Sequence, residues 1–299
     1  MIPRFYKKST KFGLPPGTLV PVEGAPKAKI RVIDYSEKDL WERELNSIEE
    51  TFVFRDTSTV SWINIDGRDV EAIKKIDEHF GVHPLVLEDI INTGQRPKIE
   101  DYGEYLFFVV KMIYFDEKIH DIYSEQIGLI LGKNYVISFQ EKEGDVFDHI
   151  RLRIREAKGR VRKMGADYLA YCLLDAIVDH YFVVLERTGE KIDQLEAELL
   201  KEPEPSMPVQ IYKLKAELTF LKKQIWPLRE VLANFQRTES ALIKKTTGIY
   251  VRDVYDHMIR VNDTLEAFHD AISGLYDIYL SSINNRMNEI MKVVTMFAA

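Results

Sequence analysis

The stretch GIYVRDVYDHMIRVNDTLEAFHDAISGLYDIYLSSINNRMNEIMKVVTMFAA (248–299) decides how the rest of the chain is read. It has no proline and, after Gly248, a single glycine, Gly274. At ~1.5 Å per residue it predicts one helix about 75 Å long, too long for one small globular domain. Asp256, Asp263, Asp270 and Asp277 recur every seven residues. From Asp277, alternating steps of four and three reach Ser281, Asn284, Asn288, Met291 and Thr295. A heptad seam that holds helices together is normally apolar at such positions. Here it is mostly small and polar, while Leu280, Ile283, Ile290, Val294 and Phe297 form a neighbouring stripe. Two readings follow: the wet face of a long amphipathic helix, or a parallel ring of helices offering Asp and Asn side chains to an ion on a hydrated axis.

The last nine residues, MKVVTMFAA (291–299), carry one charge and no capping glycine or polar tail. A helix that ends as it becomes hydrophobic predicts continuation into a membrane beyond Ala299. Within the chain itself, no run is expected to reach the roughly 18–20 apolar residues needed to cross a bilayer. Met1 to Lys8 has no apolar run behind it, so no secretory signal is read there.

Upstream, the chain divides in two. KIRVIDY (29–35) and TVSWINI (59–65) read as strands, and SEKDLWERELNSIEE (36–50) between them reads as a helix with Ser36 as cap and Asp39 in the capping-box position. Val70 to Phe80 and HPLVLEDIINTG (83–94) read as helices, the second opened by Pro84. EYLFFVVKMIYF (104–115) and IYSEQIGLILGKNYVISFQE (122–141) are β runs, the latter split by a Gly-Lys-Asn turn at 132–134. Strand signals stop at Asp145. Ala166 to Glu202 is one helical run ended by Pro203-Glu204-Pro205, and Val209 to about Glu239 returns antiparallel, with Trp226-Pro227 as a candidate kink. The expected class is α+β: an α/β/α domain with a mixed sheet (1–160), an antiparallel long-helix hairpin (161–245) and a very long C-terminal stalk helix (246–299).

Net charge of −7 and a pI near 5.6 argue against a nucleic-acid partner and suit a protein that handles cations. The hairpin tip, with Asp193, Glu196, Glu198, Glu202 and Glu204 against Lys201, reads as a solvated acidic face. The lone cysteine, Cys172, excludes an internal disulfide and points to a reducing compartment. Phosphate-loop, dinucleotide, HExxH zinc and GxSxG signatures are absent, the seven histidines suggest no zinc cluster by spacing, and no enzymatic activity is expected.

Acidic residues in apolar surroundings are the informative exceptions. Asp175 and Asp179 lie at i and i+4 in YLAYCLLDAIVDHYFVVLE (168–186), one above the other on a helix face. Buried carboxylates without a partner cost several kcal/mol, so a cation is needed, either an Arg or Lys side chain or a divalent metal with oxygen ligands. Glu88-Asp89 ends a short apolar helix. Adjacent helical residues diverge by about 100°, so these two suit neighbouring sites better than one chelate.

GLPPGTLV (13–20), WINI (62–65), HPLVLEDIINTGQRPKIE (83–100), ADYLAYCLLDAIVD (166–179), IWPLREVL (225–232), VRDVYDH (251–257) and YDIYLSSINNRMNEIMKVVT (276–295) together closely resemble the CorA family of magnesium transport proteins, in the family's order. The resemblance implies a homopentameric channel for Mg²⁺, and also Co²⁺ or Ni²⁺, in the inner cell membrane, with this portion in the cytoplasm. It implies metal sites between subunits: Asp89 facing Asp253 of a neighbour across one ion, and Glu88 with Asp175 at a second, with His257 nearby. It further implies polar rings at Asp277 and Asn288 and an apolar constriction at Met291 and Val294, with Ser281, Asn284 and Thr295 of the same stripe as further pore-lining candidates. The family's Gly-Met-Asn signature and its two membrane helices do not occur in these residues, so conduction is expected to need sequence after Ala299. Zinc passage on the same scaffold, or a soluble oligomerisation scaffold, are the rival readings.

Overall fold

The computed structural model describes residues 13–20, 27–116, 121–201 and 203–298. Two compact units emerge. The first contains residues 13–180 and 224–258; the second contains 181–223 and 259–298. The division falls inside the three long helices, each of which continues from one unit into the other, rather than at the linkers between them.

The first unit is built on strands β1 (Lys29–Tyr35), β2 (Leu40–Leu45), β3 (Val60–Asp66), β4 (Lys98–Asp101), β5 (Leu106–Asp116), β6 (Asp121–Leu131) and β7 (Tyr135–Gln140), in the order β2-β1-β3-β7-β6-β5-β4. Among the described residues the only parallel pair is β3 with β7, Ile63 opposite Ile137. The sheet is mixed, as expected. All six residues of β7 are buried, which explains why its sequence is continuous rather than alternating: both faces of the sheet are covered.

On one face, Val32, Ile63, Ile65, Val109, Ile130 and Ile137 pack with Ile73, Ile76 and Phe80 of α1 (Val70–Phe80) and with Val86, Leu87 and Ile90 of α2 (Pro84–Ile91). On the other, the Trp62 ring meets Phe147 edge-on at 5.8 Å, just before α3 (Asp148–Arg155), and Phe108 meets Phe235 at 5.0 Å. Asp69 caps α1 by accepting from the backbone of Glu71 and Ala72 at 3.1 and 3.2 Å, and Gly81 ends it with a left-handed φ of 68°. In the 132–134 turn, a Cβ on Gly132 would come within 2.3 Å of the Tyr135 ring, so only glycine fits.

Residues 36–50 are not a helix. Ser36 Oγ accepts from Asp39 N and Asp39 O accepts from Ser36 N, both at 2.9 Å, which closes a turn. LWEREL then returns as edge strand β2, with Leu40 opposite Tyr35. Ser-x-x-Asp suits a turn as well as a helix cap, and the edge position of the strand that follows leaves Arg43 and Glu44 in water while Glu42 pairs with Arg155 at 2.7 Å. A two-turn 3₁₀ segment, Ile48–Phe54, follows, with Glu50 accepting from the backbone of Ser47 at 3.1 Å.

Three helices carry the rest: α4 (Ala166–Lys201), α5 (Met207–Arg237) and α6 (Lys245–Ala298). Helix α5 continues through Pro227. Glu202, part of the expected acidic tip, lies outside the described residues. Contrary to expectation, one helix, α4, is long and apolar enough to cross a membrane by length and composition. However, 72% of its apolar window is buried in the protein, as befits a core helix. Its start is tied to the start of α6 by buried Asp167, which accepts from Lys244 N at 3.0 Å and Thr247 Oγ1 at 2.6 Å.

In the second unit, Leu185, Ile192 and Leu195 of α4, Ile211, Leu214 and Leu218 of α5, and Leu265, Ile272 and Leu275 of α6 are buried. Gly189 lets α6 approach closely, since a Cβ there would sit 3.0 Å from the Phe268 ring. Lys191 and Glu217 pair at 2.8 Å across α4 and α5. Helix α6 has 54 residues, and its length of about 80 Å agrees with expectation. After Ile272 and Leu275 its burial ends, and every residue from Asn284 to Ala298 is exposed.

Candidate divalent-cation site

Helical spacing stacks Asp175 above Asp179 on α4, and α6 brings His257 to them. One ligand atom from each of the three lies within 4.8 Å of the others. Among the described residues this is the only group of three or more such side chains able to hold one metal ion. Asp175 and His257 are half-buried and Asp179 is exposed, so the group opens to solvent on one side.

Burial first, and then the Asp179 charge, push the Asp175 carboxyl up to about 6, although His257 and a hydrogen bond from Tyr171 pull the other way. The Tyr171 hydroxyl donates to Asp175 Oδ2 at 3.3 Å. Asp253, one helical turn before His257, places Oδ2 3.9 Å from the imidazole Nε2. The arrangement gathers negative charge in a partly desolvated place, which a divalent cation would relieve.

Helix α2 carries the other acidic pair. Glu88 and Asp89 do diverge, as their adjacency on a helix requires. Glu88 Oε2 accepts from Gly17 N at 2.6 Å, which fastens the GLPPGTLV segment to α2. A left-handed φ of 80° at Gly17, with Pro84 Cβ 3.3 Å from where a Cβ would stand, explains the glycine. Asp89 Oδ2 meets Lys98 Nζ at 2.6 Å, and Lys98 also meets Glu100 at 2.7 Å. Burial raises the Asp89 carboxyl above its ordinary range, and Lys98 offsets only part of that effect.

Behind α2, two buried side chains of the sheet hold its end. Gln126 donates to Asp89 O at 2.7 Å and accepts from Gln95 N at 3.0 Å, while Lys111 donates to Thr93 O at 3.0 Å. The sequence singles out neither: Lys111 is the one charge inside the apolar run LFFVVKMIYF, and that interruption is a signal for it, whereas Gln126 follows Ser124 and Glu125 in β6 and carries no such signal.

Of the residues expected to ligate metal, Asp175 and His257 are thus brought together and Asp253 adjoins His257, while Glu88 and Asp89 are engaged elsewhere in the chain. Asp179, noted in the sequence only as the partner of Asp175, completes the cluster. Along α6, Asp277, Ser281, Asn284, Asn288, Met291, Val294 and Thr295 are all exposed, as are Asp256, Asp263 and Asp270. The stripe is therefore unused within one chain.

The profile of the family described as CorA-like Mg²⁺ transporter protein matches residues 57–299. The chain is 50% identical over 292 residues to the cobalt/magnesium transport protein CorA of Thermotoga maritima, a match covering 97% of this chain and 83% of that protein. The complete structure of the CorA magnesium transporter from Methanocaldococcus jannaschii gives a TM-score of 0.73 at 21% identity, over 90% of this chain and 81% of that one. The soluble domain of the same transporter gives 0.69 at 21% identity, over 85% of this chain and 97% of that one, a likeness of fold. With a family profile across residues 57–299 and half of all aligned positions identical to a curated member, this chain belongs to the CorA-like family of divalent-cation transporters.

Proposed function

We propose that this chain is the cytoplasmic regulatory portion of a homopentameric Mg²⁺ channel of the cell membrane, and that it senses internal Mg²⁺ at carboxylate sites to gate the pore. The observation that carries this reading is the cluster of Asp175, Asp179 and His257, two carboxylates and an imidazole within 4.8 Å of one another. Without an ion, the paired carboxylates repel and Asp175 resists ionisation. With one, the repulsion becomes attraction, so the folded arrangement depends on metal concentration. Mg²⁺ takes oxygen ligands and keeps most of its waters, which suits so sparse a donor set. The imidazole adds a nitrogen that favours Co²⁺ or Ni²⁺, so these ions are expected to substitute for Mg²⁺.

In this reading, a second ion joins Asp89 of one subunit to Asp253 of the next. The Lys98 ammonium already neutralises Asp89 within the chain, so the arriving ion must displace or share it. The exposed stripe from Asp277 to Thr295 then faces the axis, with Met291 and Val294 as an apolar ring able to block ions by dewetting. The test is transport by the full-length protein carrying Asp89→Lys and Asp253→Lys. The expected result is transport that persists at high internal Mg²⁺. Transport still shut off at high internal Mg²⁺, as in the unmodified protein, overturns the sensor assignment.

A further inference from the structure

A concavity of about 150 Å³ shares no residue with the Asp175, Asp179 and His257 cluster. One face of α5 supplies Trp226, Arg229, Glu230 and Ala233, at the i, i+3, i+4 and i+7 spacing that stacks side chains along one side of a helix. Tyr255 of α6 and Arg96, from the segment between α2 and β4, complete the lining.

Arg151 and Arg155 pair with Asp145 and Glu42, whereas the arginines of this lining, like the exposed Arg237 and Arg252, do not. Arg96 and Arg229 are exposed, and among the described residues neither makes a side-chain hydrogen bond or ion pair. Two uncompensated guanidinium groups therefore border one small hollow in a protein of net charge −7. Beside them the Trp226 indole is 38% exposed, and Tyr255 is half-buried.

Guanidinium groups match phosphate oxygens in bidentate fashion, and aromatic faces stack on planar bases irrespective of sequence. The hollow, about 150 Å³ and open to solvent on one side, is wide enough for one planar ring laid against its aromatic wall. The hollow thus has room for one base, with charged groups left at its mouth. Glu230 adds an acceptor for an amine or hydroxyl.

We propose that the cavity lined by Trp226, Tyr255, Arg96, Arg229 and Glu230 binds a nucleoside phosphate. The base lies against the aromatic side chains, the phosphate spans the two arginines, and Glu230 accepts from an exocyclic amine or a ribose hydroxyl. Inorganic phosphate can engage the arginines alone and must bind more weakly. The proposal does not rest on the cation site, and none of these residues belongs to it.

The experiment is calorimetric titration of the 299-residue chain with ADP in excess EDTA, so that the nucleotide carries no divalent ion. Saturable binding is expected, weakened at least about tenfold by Arg96→Gln combined with Arg229→Gln, since each charge-assisted hydrogen bond lost is worth roughly that factor. Inorganic phosphate is expected to bind at least about tenfold more weakly than ADP. ADP should also quench indole emission, and Trp226→Phe should remove that quench. Circular dichroism matching the unmodified chain certifies each variant, and the quench in the unmodified protein decides the matter should the double variant misfold. No saturable heat with ADP, ADP affinity unchanged in a folded double variant, or phosphate binding as tightly as ADP would each overturn the proposal.

Discussion

Lys98 sits 2.6 Å from Asp89 and 2.7 Å from Glu100, so a carboxylate expected to await a metal already holds a cation. Its removal should expose what the pair does. Lys98→Met leaves two partly buried carboxylates facing each other and is expected to destabilise the metal-free chain by about 1–3 kcal/mol. Millimolar Mg²⁺ should recover part of that loss, as read by thermal unfolding with and without EDTA.

Glu125 is a second informative residue. It is 2% exposed on β6, and it accepts from the backbone of Glu141 and Lys142 at 2.7 and 3.1 Å. Burial nevertheless pushes its carboxyl from 4.5 up to about 7. A folded-state pKa above the unfolded one means that its contribution is complete below about pH 4.5 and is lost as pH climbs through 7. The loss amounts to at most about 3 kcal/mol. Denaturant midpoints between pH 5 and 8.5 should fall across that window in the native chain and flatten in Glu125→Gln.

At the scale of elements, α6 begins where Asp167 accepts from Lys244 N and Thr247 Oγ1. Asp167→Ala removes both bonds and is expected to cost about 1–2 kcal/mol in denaturant unfolding. This is also the scale at which sequence and structure can be compared most usefully. Helices α1 and α2, the long helices and the split between β6 and β7 were legible because caps, Pro84 and the 132–134 turn agree with their periodicity.

Residues 36–50 depart from the expected helix because Ser36-x-x-Asp39 serves a turn as readily as a helix, and LWEREL has no alternation to set against a cap. Helix α3 is short and arginine-rich, so its periodicity is weak, and four-residue β4 offers almost no pattern. The i, i+4 spacing of Asp175 and Asp179 places both carboxylates on one helix face and asks for a cation, either a basic side chain or a metal, but the arrival of His257 from another helix does not show in any spacing. The Lys98–Asp89 pair was equally hidden, since it joins a strand to a helix through tertiary packing.

At the scale of the whole molecule, α6 presents a polar heptad stripe and then an apolar end, Met291, Val294 and Phe297, none of it covered within one chain. Five such helices around an axis would put Asn288 within reach of its copies. Cys172 is buried, with its thiol pushed up to about 12, and so leaves the background silent. Asn288→Cys in the membrane-embedded full-length protein should therefore form intersubunit disulfides under mild oxidation when Mg²⁺ is abundant. Denaturing gels showing only uncross-linked chains would count against an axial position for the stripe.

Cation binding by Asp175, Asp179 and His257 underlies the functional reading, and Co²⁺ reports on it most directly. A crystal structure of this chain grown with Co²⁺ should show anomalous density bounded by these three side chains, abolished when Asp175 and Asp179 are both replaced by asparagine. Cobalt bound only elsewhere, with the three side chains left as they stand in the metal-free protein, would contradict it.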